Sequence, residues 1–338
     1  MGWSFELERR ECTEEEKEAY RVKQEQPYIF ISQLNKTYKS NSDVIALSDI
    51  NLVIERGTAV GLIGPNGAGK STLIKILSGI MRPTSGVIEV DGRVPYKERK
   101  AHVASIGVVF GQKTQLWWDL PISRSFDLLR DIYRVPRQRF VQTRDRLVES
   151  LKLGSFLERP VRQLSLGQRM RAEFAAALLH EPALLILDEP TIGLDAPSKI
   201  AVRGFVRDLQ RDQGVTILLT THDMLDVEEI VERIVLIGHG KILADGRLVE
   251  LRKRFSFERQ LDVDFFATAP DLILPDGIVL LAKTENRLSV AFDPNKHSPT
   301  DVIALVARQH QIADMRLQPR SIEDFVTALY EKHGALEQ

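Results

Sequence analysis

A glycine-rich loop carries the first residues whose types and spacing could do chemistry. Residues 61–72 read Gly-Leu-Ile-Gly-Pro-Asn-Gly-Ala-Gly-Lys-Ser-Thr and contain the complete pattern Gly-x-x-x-x-Gly-Lys-Ser/Thr. Glycines lack a Cβ, so the backbone can turn tightly and aim its N–H groups at phosphate oxygens. The helix expected after the loop points its positive end at the same anion. We therefore predict a phosphate loop built by Gly64, Pro65, Asn66, Gly67, Ala68 and Gly69.

Three side chains directly after the phosphate loop could act on a bound nucleotide. Lys70 can reach the β- and γ-phosphates, and Ser71 supplies a hydroxyl of the kind that ligates Mg²⁺. Thr72 follows them in the first helical turn. A glycine-rich turn is sometimes only a turn, but here a strand-like apolar run, residues 58–63, precedes it and a helical pattern follows. The full context predicts nucleotide binding.

An apolar run that ends in two carboxylates lies further along the chain. Residues 183–190 read Ala-Leu-Leu-Ile-Leu-Asp-Glu-Pro, the pattern of a buried strand followed by an acidic turn. Asp188 could hold Mg²⁺ or its waters, and Glu189 could orient or deprotonate a water aimed at the γ-phosphate. Such a turn alone is not specific. Together with the phosphate loop it predicts nucleotide hydrolysis.

A serine and a glycine open a helical pattern between these two segments, in Leu-Ser-Leu-Gly-Gln at 164–168. Ser165 and Gln168 have the spacing of a capping box, which by itself only starts a helix. A serine-capped helix N-terminus with Gly167 in its first turn is also a second candidate anion site. The residues alone leave both interpretations open.

The elements that must position these residues form an α/β fold. Apolar runs alternate with helical segments, as expected of a mainly parallel sheet covered by helices. These runs are residues 58–63, 103–110, 183–187, 215–219 and 234–237. Short alternating runs between residues 28 and 55 indicate a small antiparallel sheet beside the phosphate loop.

Three segments are expected along the chain. Residues 1–27 form a charged N-terminal arm, and 28–251 form one nucleotide-binding domain with a helical insertion at about 113–160. Residues 252–338 form a small α+β C-terminal domain. Strands are expected there at 260–268 and 277–292, and helices at 300–310 and 321–330.

Composition narrows the classes of protein. With 46 Lys and Arg against 47 Asp and Glu, the formal net charge is −1, so no overall field draws this chain to nucleic acid or anionic lipid. The single cysteine, Cys12, excludes an intrachain disulfide and a multi-cysteine metal site. We find neither an apolar run near the roughly 20 residues of a membrane span nor a secretory leader. A membrane role is therefore expected only through a partner.

Five motifs, taken in order, resemble those of the ATP-binding cassette, the ATPase subunit of ABC transporters, over residues 28–250. They are Gly-Pro-Asn-Gly-Ala-Gly-Lys-Ser-Thr, Leu-Ser-Leu-Gly-Gln, Leu-Leu-Ile-Leu-Asp-Glu-Pro, Gly193-Leu194-Asp195 and the histidine of Thr-Thr-His-Asp. The resemblance implies a P-loop NTPase fold of ABC type, with ATP and Mg²⁺ as cofactors. It also implies a homodimer of ATPase subunits and a separate transmembrane permease as partners. We call residues 164–168 the signature segment.

In that family, two head-to-tail copies hold two ATP molecules between them. The resemblance implies that Ser165 and Gly167, with Gln168 beside them, bind the ATP held by the other copy and touch its γ-phosphate. Asp195 would link the two sites across the dimer. His222 would contact the γ-phosphate within its own subunit.

Tyr38 matches the aromatic residue that stacks on adenine in the family, but two positions depart from the family pattern. Leu166 stands where a glycine is usual, and we expect function to survive because the flanking residues make the anion contacts. Phe-Gly-Gln stands where Phe-Gln or Pro-Gln is usual. Counting forward from the predicted strand puts Gly111 at the glutamine position, whereas counting back from Leu116 puts Gln112 there. We favour Gln112 as the residue that senses Mg²⁺, because glycine has no side chain; Gln115 is less favoured.

A narrower likeness concerns residues 110–121, Phe-Gly-Gln-Lys-Thr-Gln-Leu-Trp-Trp-Asp-Leu-Pro. They resemble the ATPase subunits of drug- and viologen-type exporters, which also carry a small C-terminal domain, and so imply export. Trp117 and Trp118 are adjacent and cannot both face one side of a helix. We expect them to help form the groove that receives a cytoplasmic helix of the permease. The expected location is the cytoplasmic face of the cell membrane.

Two other classes of nucleotide-using protein compete with this interpretation. A soluble ABC-type ATPase acting on DNA or ribosomes usually carries two cassettes or a long coiled coil, whereas this chain has one cassette and no sustained heptads. The neutral net charge also disfavours a nucleic-acid partner. A P-loop GTPase is disfavoured because neither residues 35–38 nor 295–298 complete an Asn-Lys-x-Asp guanine motif.

Overall fold

The computed structural model describes residues 27–39, 43–111, 113–254, 259–307 and 311–319. The chain divides between Asp245 and Gly246 into two compact units. The expected arm up to residue 26, Gln112 and the helix expected at 321–330 lie outside the described residues. Among the helices that are described, none combines the length and the hydropathy that crossing a membrane requires.

Short strands and helices alternate through the first unit. Its strands are β1 (Ile29–Tyr38), β2 (Val44–Ile54), β3 (Ala59–Ile63), β4 (Ser85–Val90), β5 (Ile106–Phe110), β6 (Leu184–Asp188), β7 (Thr216–Thr220), β8 (Arg233–Gly238) and β9 (Lys241–Arg247), which runs into the second unit. Its helices are α1 (Lys70–Leu77), α2 (Arg99–Val103), α3 (Ile122–Tyr133), α4 (Arg137–Ser150), α5 (Leu166–Leu178), α6 (Ala196–Gln213) and α7 (Met224–Ile230). Single 3₁₀ turns lie at Gly154–Phe156 and Val161–Gln163.

The main sheet has the strand order β5-β6-β7-β3-β8-β9, and its neighbours from β5 to β8 are parallel. β3, β6 and β7 are apolar along almost their whole length and are buried, as parallel strands covered on both faces must be. In the register of these strands, Thr220 pairs with both Leu62 and Asp188. The carboxyl ends of β3, β6 and β7 therefore lie level at one edge, where α/β sheets bind their ligands. The predicted α/β fold is confirmed.

An antiparallel sheet of order β2-β1-β4 accompanies the main sheet. Ile31 of β1 and Leu52 of β2 belong to the same buried cluster as Ile74 of α1 and Leu218 of β7. Burial of this shared apolar surface stabilises the antiparallel sheet, α1 and the main sheet together. The first helix after the phosphate loop is therefore fixed from two sides.

Two helices occupy the segment predicted as a helical insertion. Pro121 precedes α3 and Pro136 precedes α4, each with the backbone angles of an N-terminal cap. Proline has no N–H and fits only at or before the first turn of a helix, so these two residues determine where the helices begin. Phe126 and Phe140 are buried and anchor the two helices.

The expectation of one strand from 103 to 110 was wrong at its start. Val103 ends α2, and β5 begins at Ile106. The reason is a long-range contact, since the buried His102 places its Nε2 2.7 Å from the carbonyl oxygen of Leu77 at the end of α1. The apolar run therefore contains a helical turn before the strand.

The second unit contains α8 (Leu248–Arg254), β10 (Arg259–Phe265), β11 (Ile278–Lys283), β12 (Arg287–Phe292), α9 (Pro299–Ala307) and β13 (Ile312–Pro319). Its antiparallel sheet has the order β11-β12-β10-β13. Val302 and Val306 of α9 share a buried cluster with Leu261 of β10 and Val290 of β12. The predicted small α+β fold is confirmed, but β13 was not predicted.

Candidate functional site

The phosphate loop lies between β3 and α1 and packs against neighbouring backbone at both ends. Gly67 and Gly69 have φ of +82° and +107°, angles that favour glycine. A Cβ on Gly64 would lie 2.5 Å from the carbonyl oxygen of Ile237, and a Cβ on Gly69 would lie 2.5 Å from that of Ala46. Glycine at these positions is therefore required for packing as well as for the turn.

Lys70 lies between the loop and the two carboxylates. Its Nζ donates hydrogen bonds to the carbonyl oxygens of Gly64 at 2.6 Å and Pro65 at 3.0 Å. Partial burial lowers the pKa of Lys70, while the carboxylates of Glu189 and Asp188 act in the opposite direction. The first N–H groups of α1 have no intrahelical acceptor. A phosphate at this helix end would thus meet the ammonium group and these N–H donors together.

Asp188 and Glu189 follow each other at the end of β6 and are held by Thr220 at the end of β7. The Thr220 hydroxyl donates to Asp188 Oδ1 at 2.6 Å, and the Glu189 N–H donates to the Thr220 carbonyl at 2.9 Å. Glu189 has φ of +53°, which is uncommon for a residue with a side chain and costs about 1–3 kcal/mol. The fold maintains this strained turn directly after β6, and the hydrogen bond to Thr220 holds it there.

His222 faces Glu189 across the open edge of the sheet. Its Nδ1 lies 3.4 Å from Glu189 Oε1, and the imidazole is 67% exposed whereas the Glu189 side chain is 26% exposed. An exposed imidazole beside a half-buried carboxylate suits a pair of groups that meet a ligand from solvent.

Tyr38 lies beside the first turn of α1. Its hydroxyl is 3.3 Å from the Thr72 hydroxyl and 3.3 Å from the sulfur of Met81, and the residue is 37% exposed. Lys36 Nζ lies 5.4 Å from the centre of the ring. The ring is therefore placed next to the phosphate loop helix with part of its surface available for stacking.

The structure describes two of the three candidates for the glutamine position, Gly111 and Gln115. Gly111 donates its N–H to the Asp188 carbonyl at 2.8 Å, so this segment runs directly beside the carboxylates. Gln115 is held elsewhere, because its Nε2 donates to the Glu173 carbonyl at 3.2 Å and its N–H to Glu173 Oε2 at 3.2 Å. Gln112 lies outside the described residues, so its role stays a prediction.

Sequence reasoning missed Glu173, a buried carboxylate on α5 that holds the segment 114–116. Burial raises the pKa of Glu173, although hydrogen bonds from Thr114 and Gln115 oppose the shift. The signal was present as a lone glutamate in the apolar run Ala-Glu-Phe-Ala-Ala-Ala. Thr220 was also missed, although it directly precedes Thr221-His222.

The signature segment forms the capping box that its spacing predicted. The Gln168 N–H donates to Ser165 Oγ at 3.2 Å, and the Ser165 N–H donates to Gln168 Oε1 at 3.0 Å. Ser165 Oγ is the acceptor in this box, so its hydroxyl proton can still be donated to an anion. The capping interpretation and the anion interpretation are therefore compatible.

The signature segment packs against the N-terminus of α6 in the same chain. A Cβ on Gly167 would lie 2.4 Å from the Ser198 hydroxyl, and a Cβ on Gly193 would lie 3.0 Å from Leu166 Cδ2. Asp195 caps α6 by accepting the Ser198 N–H at 3.1 Å, and its hydrogen bonds with Ser198 lower its pKa. The structure thus gathers the predicted residues into two groups, one around Lys70 and one around Ser165.

The residues around Lys70 fit a nucleotide carried with Mg²⁺. This ion usually takes one or two protein oxygens, substrate phosphates and waters rather than a cage of side chains. Ser71 and Asp188 provide such oxygens, and the described residues contain no group of three His, Cys, Asp or Glu that could hold a metal alone. The donor set therefore suits a metal that arrives with its phosphates.

Comparison with known proteins identifies relatives of this chain. A family model described as ABC transporter matches residues 47–192. The ABC transporter ATP-binding protein NatA of Bacillus subtilis is 30% identical over 70% of this chain and 95% of its own length. The daunorubicin resistance ATP-binding protein DrrA3 of Streptomyces coeruleorubidus is 36% identical over 65% of this chain and 69% of its own length. The methionine import ATP-binding protein MetN of Symbiobacterium thermophilum is 34% identical over 75% of this chain and 78% of its own length.

Solved structures show the same likeness. An ATP-binding subunit of an ABC transporter is 28% identical with a TM-score of 0.62, over 68% of this chain and 93% of that one. A dimeric ATP-binding cassette in a post-hydrolysis state, bound to ADP and Pi, is 29% identical with a TM-score of 0.58, over 65% of this chain and 98% of that one. The family model spans the phosphate loop and both carboxylates, and NatA is matched along nearly its whole length, so this chain belongs to the ATP-binding subunits of ABC transporters and is an ATPase that uses ATP with Mg²⁺.

Proposed function

We propose that this ATPase works as a dimer of two copies and drives export through a separate transmembrane permease. The resistance protein DrrA3 and the likeness of residues 110–121 to exporter ATPases support export. MetN, an import protein, is about as similar, so the direction rests on these two features and not on family membership. The permease would hold the chain at the cytoplasmic face of the membrane.

The placement of Glu189 opposite His222 is the observation that carries the reaction, since their side chains are 3.4 Å apart at the edge where the phosphate loop begins. In this reaction Lys70 and the loop N–H groups bind the β- and γ-phosphates. Glu189 accepts the proton of the attacking water, and His222 contacts the γ-phosphate. Tyr38 stacks on the adenine.

Mg²⁺ carried with the ATP would neutralise charge on the phosphates. Ser71 and Asp188 would supply oxygen ligands to it or to its waters, and Gln112 would sense it. The hydrogen bond from Thr220 to Asp188 Oδ1 orients the carboxylate, and its other oxygen would be available as a ligand.

A second copy of the chain completes the site. Ser165, Gly167 and Gln168 of that copy contact the γ-phosphate, and Asp195 links the two sites. The dimeric cassette among the solved structures supports this arrangement. Because Gly167 packs on Ser198, which Asp195 caps, these residues would approach the partner as one rigid surface.

We further propose residues 28–251 as the ATPase domain, with the insertion at about 113–160 facing the permease, and 252–338 as a separate small domain. Trp117 and Trp118 on the insertion are 37% and 49% exposed. Exposed aromatic surface of this kind suits a groove for a permease helix.

The direct test of hydrolysis is Glu189→Gln. We expect this variant to bind ATP while its turnover falls by roughly 10²-fold or more, the order expected when a general base is lost. Glu149→Gln, at an exposed position of α4, is the matched control and should hydrolyse ATP like the unaltered chain. Near-normal turnover of Glu189→Gln would refute the proposed reaction.

The shared site is tested by mixing two inactive variants. Lys70→Ala removes the phosphate-binding ammonium group, and Ser165→Arg blocks the signature segment. A mixed dimer contains one intact site, so mixing should restore part of the ATPase activity. If dimers shown to be mixed stay inactive, the two-copy site is wrong.

Export is tested by purifying the chain with its membrane partner and reconstituting the pair in vesicles. ATP added on the side of this chain should move a substrate away from that side. A soluble ATPase acting on DNA or ribosomes, which the relatives above do not favour, would instead be recovered with nucleic acid and without a permease.

A further inference from the structure

A buried ion pair, Arg203 with Asp226, contacts the segments that carry Glu189 and His222. The Arg203 side chain on α6 is 4% exposed and the Asp226 side chain on α7 is completely buried. Arg203 Nε donates to Asp226 Oδ1 at 2.6 Å. The pair thus joins two helices that each begin at a loop of the proposed site.

The other oxygen of Asp226 binds both of those loops. It accepts the Thr191 hydroxyl at 2.5 Å and the Thr221 hydroxyl at 2.9 Å. Thr191 follows Glu189 by two residues, and Thr221 directly precedes His222. One carboxylate oxygen therefore connects a side chain of the glutamate turn to a side chain of the histidine turn.

The residue on the other side of His222 is bound to the same helix. Asp223 Oδ2 lies 2.7 Å from Lys199 Nζ and 3.0 Å from Arg203 Nη2. The Asp223 N–H also donates to the Thr221 hydroxyl at 2.9 Å. His222 is thus flanked by two residues that α6 and Asp226 hold in place, while its own ring stays exposed.

Stability is a weak reason for this arrangement. Burying an ion pair costs desolvation that the attraction only partly offsets, so apolar residues of similar volume often stabilise a core equally well. A buried network of hydrogen bonds and ion pairs does, however, fix the relative position of the groups that it joins. Here the network joins the turn that carries Glu189, the proposed general base, to the turn that carries His222, the proposed γ-phosphate contact.

We propose that Arg203 and Asp226 are positioning residues for ATP hydrolysis, which hold His222 at its distance from Glu189. This inference rests on the proposed roles of those two side chains. Loss of the pair would displace His222 while Lys70 and the phosphate loop stay in place. The turnover number should then fall while the KM for ATP changes little, because misplacement by about 1 Å can cost on the order of 10²-fold in rate.

The test measures ATP hydrolysis by the full chain carrying Arg203→Lys, alone and combined with His222→Ala. Lysine keeps the positive charge but loses the fork that reaches both Asp226 and Asp223. We expect Arg203→Lys alone to lower kcat by roughly 10-fold to 10²-fold. In the His222→Ala background it should lower kcat no further, because both changes act through the same imidazole.

A matched control is the ion pair of Arg233 and Asp245, whose nitrogen and oxygen atoms meet in two contacts of 2.7 Å. Arg233→Lys alters another arginine–aspartate pair of the same unit, away from the glutamate and histidine turns, and should leave kcat unchanged. If Arg203→Lys does not fold, Thr221→Val decides the question, since it keeps the ion pair and removes the hydroxyl that donates to Asp226 and accepts the Asp223 N–H. Thr221→Val should also lower kcat, and it should leave kcat unchanged in the His222→Ala background.

The outcomes separate this inference from the proposed function. If Glu189→Gln abolishes hydrolysis but the effects of Arg203→Lys and His222→Ala multiply, the pair serves only the fold and the positioning role is refuted. If Arg233→Lys lowers kcat as much as Arg203→Lys does, the positioning role is refuted as well. If Glu189→Gln leaves hydrolysis unchanged, the proposed reaction fails and this inference fails with it.

Discussion

Gly111 and Glu189 approach each other so closely that a Cβ at position 111 would lie 2.1 Å from the Glu189 carbonyl oxygen. The Gly111 N–H also donates to the Asp188 carbonyl at 2.8 Å. The glycine that interrupts the usual glutamine pattern is therefore required by the backbone of the carboxylate turn. It allows the chain after β5 to pass directly over that turn.

Gly111→Ala should therefore impair both folding and catalysis. The methyl group would push apart the ends of β5 and β6 and move Glu189, so we expect ATP hydrolysis to fall by roughly 10²-fold and the thermal midpoint to drop. Steady-state ATPase assays and thermal unfolding check this. Wild-type values for both would show that the backbone relaxes without cost.

Gly204→Ala is the control for Gly111→Ala, because it makes the same substitution at a glycine with open space around it. Gly204 lies inside α6, and a Cβ there would have no atom within 4 Å. Alanine should stabilise this helix by about 0.5–1 kcal/mol, because glycine loses more backbone entropy on folding. The thermal midpoint should rise while ATPase activity is retained, and a fall in the midpoint would contradict the packing described for α6.

Thr220→Val should weaken the response to Mg²⁺. The change keeps the shape of the side chain but removes the hydroxyl that donates to Asp188 Oδ1 at 2.6 Å. A hydrogen bond to a charged group contributes about 1.5–3 kcal/mol, so the Mg²⁺ concentration for half-maximal ATPase activity should rise. Thr216→Val, at the opposite end of β7, removes a bond from the Gly57 N–H at 2.9 Å and should leave the Mg²⁺ dependence unchanged.

Glu173→Gln should remove a dependence of stability on pH. Burial raises the pKa of Glu173 above its ordinary 4.5, so the folded state keeps this proton after the unfolded state has released it. The stability of the unaltered chain should therefore fall as pH rises from 4.5 through the folded-state pKa, relative to that of the variant. Thermal midpoints of both proteins across pH measure the difference; a constant difference would contradict the prediction.

Leu166→Gly should speed the ATP-dependent pairing of two copies. The Leu166 side chain packs over Gly193, just before Asp195, and restricts that loop. Removing it frees the loop, although glycine in the first turn of α5 costs up to about 1 kcal/mol of helix stability. Leu166→Ala should show the faster pairing with less loss of stability, as followed by light scattering. Unchanged pairing in both variants would refute a restraining role.

The phosphate loop could be predicted from sequence because its chemistry is local. Lys70 lies next to the glycines that shape the loop, and the box of Ser165 and Gln168 depends on residues three positions apart. Patterns of neighbouring residues encode such features directly. The fold class followed in the same way from the apolar runs that became β3, β6, β7 and β8.

Pairs that are distant in the chain could not be predicted. Nothing near Arg203 indicates that its guanidinium group binds Asp226, and nothing near Gly111 indicates that it lies against Glu189. The helical turn at Val103 depends on the contact of His102 with Leu77. Side-chain periodicity carries no information about which element packs against which, so these contacts emerged only from the fold.

The packing of the phosphate loop has a thermodynamic consequence. Gly64 lies against the Ile237 carbonyl, and the Ala68 carbonyl accepts the Gly240 N–H at 3.0 Å, so both ends of the loop are held by the strand and turn of β8. Fixing a residue costs about 1–2 kcal/mol of conformational entropy, and here folding has already met that cost. Nucleotide binding then loses little entropy in the loop itself, so the free energy of the phosphate contacts remains available for pairing the two copies.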